Sequence, residues 1–168
     1  RNFDAAIIVD VLDLERLAPD LFYGLHKLIQ RDRFDHVAVD IEREGRFLLV
    51  EETTDEGIRY NQPAGHLDDG ESLVDACVRE TLEETAYTFV PEYVLGIYQW
   101  YSHRVDTTYL RFAFGGHVTQ YDPERKLDTG ILQATWYSVD EINQMHHRHR
   151  SPLVMQCIHD HLAGKRYP

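Results

Sequence analysis

Glu80, Glu83 and Glu84 stand within a single turn of one another in the stretch Arg79-Glu80-Thr81-Leu82-Glu83-Glu84. At about 100° per residue they share an arc of roughly 100° on a helix. Val74, Val78 and Leu82 then form an apolar stripe on the other side, so the expected helix buries one face and turns a charged wall outward. Oxygen donors gathered this way suit a hard divalent cation such as Mg²⁺. Like charges at this spacing cost an isolated helix a few tenths of a kcal/mol, about what a bound cation would remove. The plainer reading of a Glu-Glu pair is a solvated helix face.

What separates the two readings is the company the glutamates keep. Gly65, Glu71 and Arg79 precede them at fixed offsets, and the ordered string Gly-x5-Glu-x7-Arg-Glu-x-x-Glu-Glu resembles the signature of the Nudix hydrolases. That resemblance implies an α/β fold, an α/β/α sandwich with a mixed sheet and a loop-helix-loop catalytic motif. It implies that Glu80, Glu83 and Glu84 hold Mg²⁺, or Mn²⁺, with the main-chain carbonyl of Ala64 as a further ligand. It also implies that Glu71 and Arg79 form the ion pair that fixes the loop-helix-loop. Thr81 stands where the family usually has an aliphatic residue; its hydroxyl can bond back to a carbonyl one turn earlier. Ala86 stands where the family has glycine, which permits a left-handed helix end at little cost. A shifted helix terminus is therefore expected.

Asn61-Gln62-Pro63-Ala64-Gly65-His66-Leu67, Tyr109-Leu110-Arg111-Phe112 and Arg150-Ser151-Pro152-Leu153-Val154 together resemble the NudJ-type phosphatase branch. This implies a small phosphorylated substrate: a nucleoside di- or triphosphate, or a hydroxymethylpyrimidine or thiamine diphosphate. Arg111 is then a candidate for a phosphate contact or for a sheet neighbour, and Gln62 and Tyr60 for contacts to a base or pyrimidine ring. Divalent ions bridging glutamates and phosphate oxygens would neutralise developing charge and acidify a nearby water. A base must take that water's proton. In the family it often lies on a loop before a late strand, where Asp128 stands in Lys126-Leu127-Asp128-Thr129-Gly130; Glu84 is the alternative, and an ordinary turn residue is the plain reading of Asp128. An ADP-ribose or dinucleotide pyrophosphatase is the rival activity. A ligand-sensing module without turnover is the rival class, although such modules usually lose acids that are all present here.

The elements that must position these groups follow from periodicity and punctuation. Asp69-Gly70 signals a turn and Ser72, three residues before Asp75, a capping-box-like start, so the acidic helix begins near Leu73. Residues 36–42 and 46–52 alternate as strands around Arg43-Glu44-Gly45. Further strands are expected near 93–103, 107–119 and 133–139, and helices at 140–145 and 152–163, the last with Ser151 as N-cap and Pro152 in its first turn. The domain boundary falls at residue 36. Residues 1–35 read as an extension with a strand at 5–12 and an amphipathic helix at 14–30, packing on the domain or on a dimer partner. His146-His147-Arg148-His149-Arg150 reads as a solvated helix end.

Composition narrows the partners. A chain of 168 residues suits one domain with a real core, and a net charge of −12 argues against a nucleic-acid polymer, which needs clustered Lys and Arg. Metal ions and a few local cations can still reverse the field in one pocket. No apolar run approaches the ~18 residues of a membrane span, and the N-terminus lacks a charged-then-apolar signal pattern. A cytoplasmic monomer or homodimer is expected, with Cys77 and Cys157 reduced.

Overall fold

The run Phe47-Leu48-Leu49-Val50 has no polar residue because its strand is covered on both faces. Phe47 and Leu49 pack with Tyr60, Ile142, Val154 and Ile158, while Leu48 packs with Val37, Val39, Phe112 and Phe114. This strand belongs to a computed structural model that describes residues 35–168. The strand and helix expected at 5–12 and 14–30 lie outside the described residues.

The strands are β1 (Asp35–Arg43), β2 (Arg46–Thr54), β3 (Gly57–Asn61), β4 (Ala64–His66), β5 (Tyr87–Ser102), β6 (Thr107–Tyr121) and β7 (Ile131–Ser138). The helices are α1 (Leu73–Thr85), α2 (Val139–Gln144) and α3 (Leu153–Leu162), with a 3₁₀ turn over His146–Arg148. The sheet runs β3-β2-β1-β6-β5, with β4 on β1 and β7 on β2. It is mixed: β1 is antiparallel to β2 and β4 and parallel to β6. Glu44 and Gly45, both at positive φ, make the tight β1–β2 turn that such a two-residue hairpin needs.

Alternation along the strands sorts side chains into two layers. Val37, Val39, Ile41, Phe112 and Phe114 meet Ala76 and Cys77 of α1. Ala113, Leu95 and Tyr98 meet Leu153 and Cys157 of α3. This is the α/β/α sandwich expected. Two short strands, β3 and β4, were not anticipated; β4 is only three residues long and carries no alternation to read. Among the described residues no helix is long and apolar enough to cross a membrane.

The acidic helix starts where Ser72 accepts from the Asp75 amide at 3.1 Å. Its orientation corrects the expectation from periodicity. Val74 is 45% exposed, whereas Ala76, Cys77, Glu80, Thr81 and Thr85 are buried. Small side chains let α1 lie close on the sheet, so the packed face is the one that carries Glu80; Val78 packs on its border and Val74 lies outside it. The Thr81 hydroxyl bonds back to the Cys77 carbonyl at 2.7 Å. The helix end is not shifted either. Ala86 itself adopts the left-handed conformation (φ 61°) and its amide reaches the Leu82 carbonyl at 3.0 Å. The strain of about 1 kcal/mol is offset by burying the methyl, worth about 0.8 kcal/mol. Cys77 and Cys157 are both buried and free.

Candidate active site

Gly65 is the point where sheet and helix touch most closely. A Cβ there would lie 2.0 Å from the Glu80 carboxylate, so any larger residue would push that acid away from β4. One residue earlier, the Ala64 amide donates to Glu84 Oε2 at 2.8 Å. Glu80 and Glu84 are thereby pressed against β4.

Arg79 organises the acids around it. Its Nε and Nη2 fork onto the two oxygens of Glu71 at 2.8 and 2.7 Å, and Nη2 also donates to the His66 carbonyl at 2.9 Å. Nη1 donates to Glu80 at 2.8 Å and to Glu83 at 3.1 Å. The Glu71 carboxyl is held below its ordinary range chiefly by the hydrogen bonds from Arg79. Glu80 and Glu84 go the other way: burial raises both, Glu84 to about 8, with neighbouring Glu52 and Asp128 among the charges that push Glu84 further.

Glu52, at the end of β2, was missed by the sequence reading. Its Oε1 is buried without a hydrogen-bond partner, lies 3.6 Å from Arg150 Nε, and its pKa is raised by burial. No local signal marked it, because both faces of β2 are buried before it and Glu51 shares the parity of Phe47 and Leu49 just as Glu52 shares that of Leu48 and Val50.

A cavity of about 1520 Å³ opens beside these groups, lined by Glu52, Glu80 and Glu84 and by an adjoining wall of His36, Arg111 and Arg150, with Arg150 Nε 3.6 Å from Glu52. Arg111 is only 4% exposed. It donates to Gln62 Oε1 at 3.2 Å and Asn61 Oδ1 at 3.1 Å, so neutral amides hold its charge in place. Its partners Asn61 and Gln62 lie at and just beyond the end of β3, and neither is its neighbour in the sheet, where it pairs with His36 and Tyr98. His36 has its pKa lowered well below the ordinary value by burial and then by Arg111, His66 and Arg150, which makes this wall cationic around a neutral imidazole.

Gln62 and Tyr60, expected as ring contacts, sit elsewhere. Gln62 is 1% exposed and its Nε2 donates to the Val154 carbonyl at 2.9 Å; it orients Arg111 and does not itself face the cavity. Tyr60 is buried in the core under Tyr137 and Arg148. Asp128 is exposed in the β6–β7 loop, where its amide donates to the Glu83 carbonyl at 3.0 Å and Gly130 accepts from Thr53 at 2.8 Å. The histidine run is not a free helix end: His146 and His149, three apart on the 3₁₀ turn, border the cavity with Arg150.

Do these donors fit a divalent cation? They are carboxylates, the hard oxygen donors that Mg²⁺ and Mn²⁺ prefer. Glu52 Oε1 is buried with no hydrogen-bond donor, and burial together with the neighbouring carboxylates raises the pKa of Glu84, so added positive charge is favoured here. Among the described residues no three acidic, His or Cys side chains converge on one point, and Arg79 Nη1 bridges Glu80 and Glu83. The donor set fits in kind, and an ion joining it would take over part of the role of Arg79.

A family model for the NUDIX domain matches residues 32–157. Phosphatase NudJ of Escherichia coli K12 is 40% identical over 132 residues, 79% of this chain and 85% of that protein. A NUDIX hydrolase structure from Nitrosomonas europaea superposes with a TM-score of 0.79 at 54% identity, covering 82% of this chain and 93% of the other. An ADP-ribose pyrophosphatase from Streptococcus suis shares the fold, with a TM-score of 0.61 at 16% identity over 82% of this chain and 97% of the other.

Proposed function

The chain belongs to the Nudix hydrolase family, and from that premise we propose that it hydrolyses the phosphoanhydride of a small phosphorylated metabolite, a nucleoside or pyrimidine-type diphosphate, with Mg²⁺ as its cofactor. One observation carries this reading: a single cavity brings the carboxylates of Glu52, Glu80 and Glu84 together with the buried, preset cation of Arg111 and the more exposed Arg150. Glu80, Glu83 and Glu84, with Glu52 beside them, would hold the cation. When bound, it supplies charge neutralisation at the phosphate oxygens.

The residues of the chain account for the rest. Arg111, fixed by Asn61 and Gln62, presents a guanidinium whose geometry suits phosphate oxygens and costs little reorganisation on binding. Arg150 adds a second cation, and the neutral His36 can donate a hydrogen bond without adding charge. Arg79 with Glu71 holds the loop onto the helix so that the acids stay in register. Asp128, on a loop tethered by backbone bonds at both ends, takes the proton of the attacking water. The similarity to a phosphatase supports a diphosphate or triphosphate ester as substrate.

The test is a substrate panel with product identification. Full-length protein with Mg²⁺ is offered nucleoside diphosphates, hydroxymethylpyrimidine diphosphate and ADP-ribose, and phosphate release is followed with ¹⁸O-water. Label in inorganic phosphate from a diphosphate ester, abolished by a chelator, is the expected result. Turnover of ADP-ribose alone, or of nothing with either Mg²⁺ or Mn²⁺, overturns it.

A further inference from the structure

The cavity runs on past the acids. Its volume of about 1520 Å³ exceeds the roughly 300–1,000 Å³ of most small-ligand pockets, so a diphosphate between the charged walls leaves space beyond it. Strand register identifies what borders that space. Arg111 pairs across the sheet with Tyr98, and two residues outward on the same face Tyr109 pairs with Trp100. Two residues along a strand span about 7 Å. The Trp100 and Tyr109 rings are stacked, with centroids 5.5 Å apart and planes 22° from parallel. Both are partly exposed and both line the cavity. Trp100 is braced by the cluster of Leu95, Tyr98 and Leu153. Past the rings, Arg104 ties the β5–β6 tip to the β2–β3 tip through Asp55 at 2.8 Å and Glu56 at 3.3 Å.

A cross-strand aromatic pair often does no more than pack a sheet. This one stands in the wall of a cavity, one step from a buried cation, with Ser102 and His103 at its edge. We propose that Trp100 and Tyr109 form a ring subsite, and that the enzyme selects diphosphate esters whose leaving group carries a planar heteroaromatic ring stacked on this pair. An all-carbon chain would gain burial here but neither the stack nor the polar rim. The inference rests on the hydrolysis of a phosphoanhydride proposed above and adds the residues that recognise the ring of the leaving group. A stack formed equally in ground and transition state appears in KM and not in kcat.

The experiment compares cytidine diphosphate with dimethylallyl diphosphate, which has the same anhydride and no aromatic ring, on full-length protein with Mg²⁺. The wild type favours the ring substrate in kcat/KM. Trp100→Ala lowers that preference by about 5- to 150-fold, the usual range for losing one base–aromatic stack, through KM, and Trp100→Phe keeps most of it. An unchanged preference in Trp100→Ala, or an equal loss with both substrates, overturns the proposal. Tyr109→Leu provides the same comparison should Trp100→Ala fail to fold. The chain has two tryptophans, so in Trp136→Phe the emission comes from Trp100 alone. The α,β-methylene analogue of cytidine diphosphate should quench it, and absence of quenching also overturns the subsite. If the wild type hydrolyses neither substrate the reading of the reaction fails, while the quenching still decides the subsite.

Discussion

Glu84→Gln lowers kcat by about 10³-fold or more, which is about 4 kcal/mol of barrier, and leaves the fold intact. Glutamine keeps the size of the side chain and an oxygen to accept the Ala64 amide, now met by Glu84 Oε2 at 2.8 Å. What it removes is the charge. Burial already raises the pKa of Glu84 to about 8, so the neutral amide does not destabilise the metal-free protein, and the melting temperature holds or rises. Glu83→Gln has the same direction of effect on rate, and also gives up one of the acceptors of Arg79 Nη1. Steady-state kinetics at saturating Mg²⁺ beside a thermal melt check both. Near wild-type turnover in both variants contradicts the assignment of the acids.

Asp128→Asn lowers turnover by roughly 10²- to 10⁴-fold, the range for loss of a positioned base, with Mg²⁺ affinity and KM nearly unchanged. The loop that carries it is anchored by backbone bonds from Asp128 to Glu83 and from Thr53 to Gly130, and the substitution touches neither. The defect shrinks at alkaline pH, where hydroxide becomes available without the base. A pH–rate profile of both proteins is the measurement. A defect that is constant with pH, or confined to KM, moves the role to Glu84.

The motif and the layering could be read from the sequence because each is local. Spacing alone placed Glu80, Glu83 and Glu84 together, and alternation in β1 and β2 showed two covered faces. Which side of α1 packs could not be read so simply. Hydrophobicity pointed to Val74 and Leu82, whereas close approach to the sheet demanded the small Ala76, Cys77 and Thr81. Ala86 misled in a similar way, because its tertiary burial offsets a strain that periodicity does not see. Gln62 and Tyr60 looked like ligand contacts only while their long-range partners, Val154 and Tyr137, were unknown. Glu52, Arg150 and Trp100 come to one cavity through pairings between distant strands and helices, and no spacing along the chain encodes those.

The central claim is that the buried acids are a cation site, and calorimetric titration of Mg²⁺ into metal-free protein between about pH 6 and pH 9 tests it most directly. With the Glu84 pKa raised to about 8, the folded chain holds a proton that the unfolded chain releases near its ordinary value of 4.5. The contribution of this group to stability therefore falls as pH rises from there to about 8, in the absence of metal. A cation must displace the same proton. The account predicts that affinity rises by up to about tenfold per pH unit below 8 and levels off above it, with close to one proton released per ion at low pH. Glu84→Gln binds more weakly and loses that slope. Binding in the wild type that is independent of pH and unaffected by Glu84→Gln contradicts the claim.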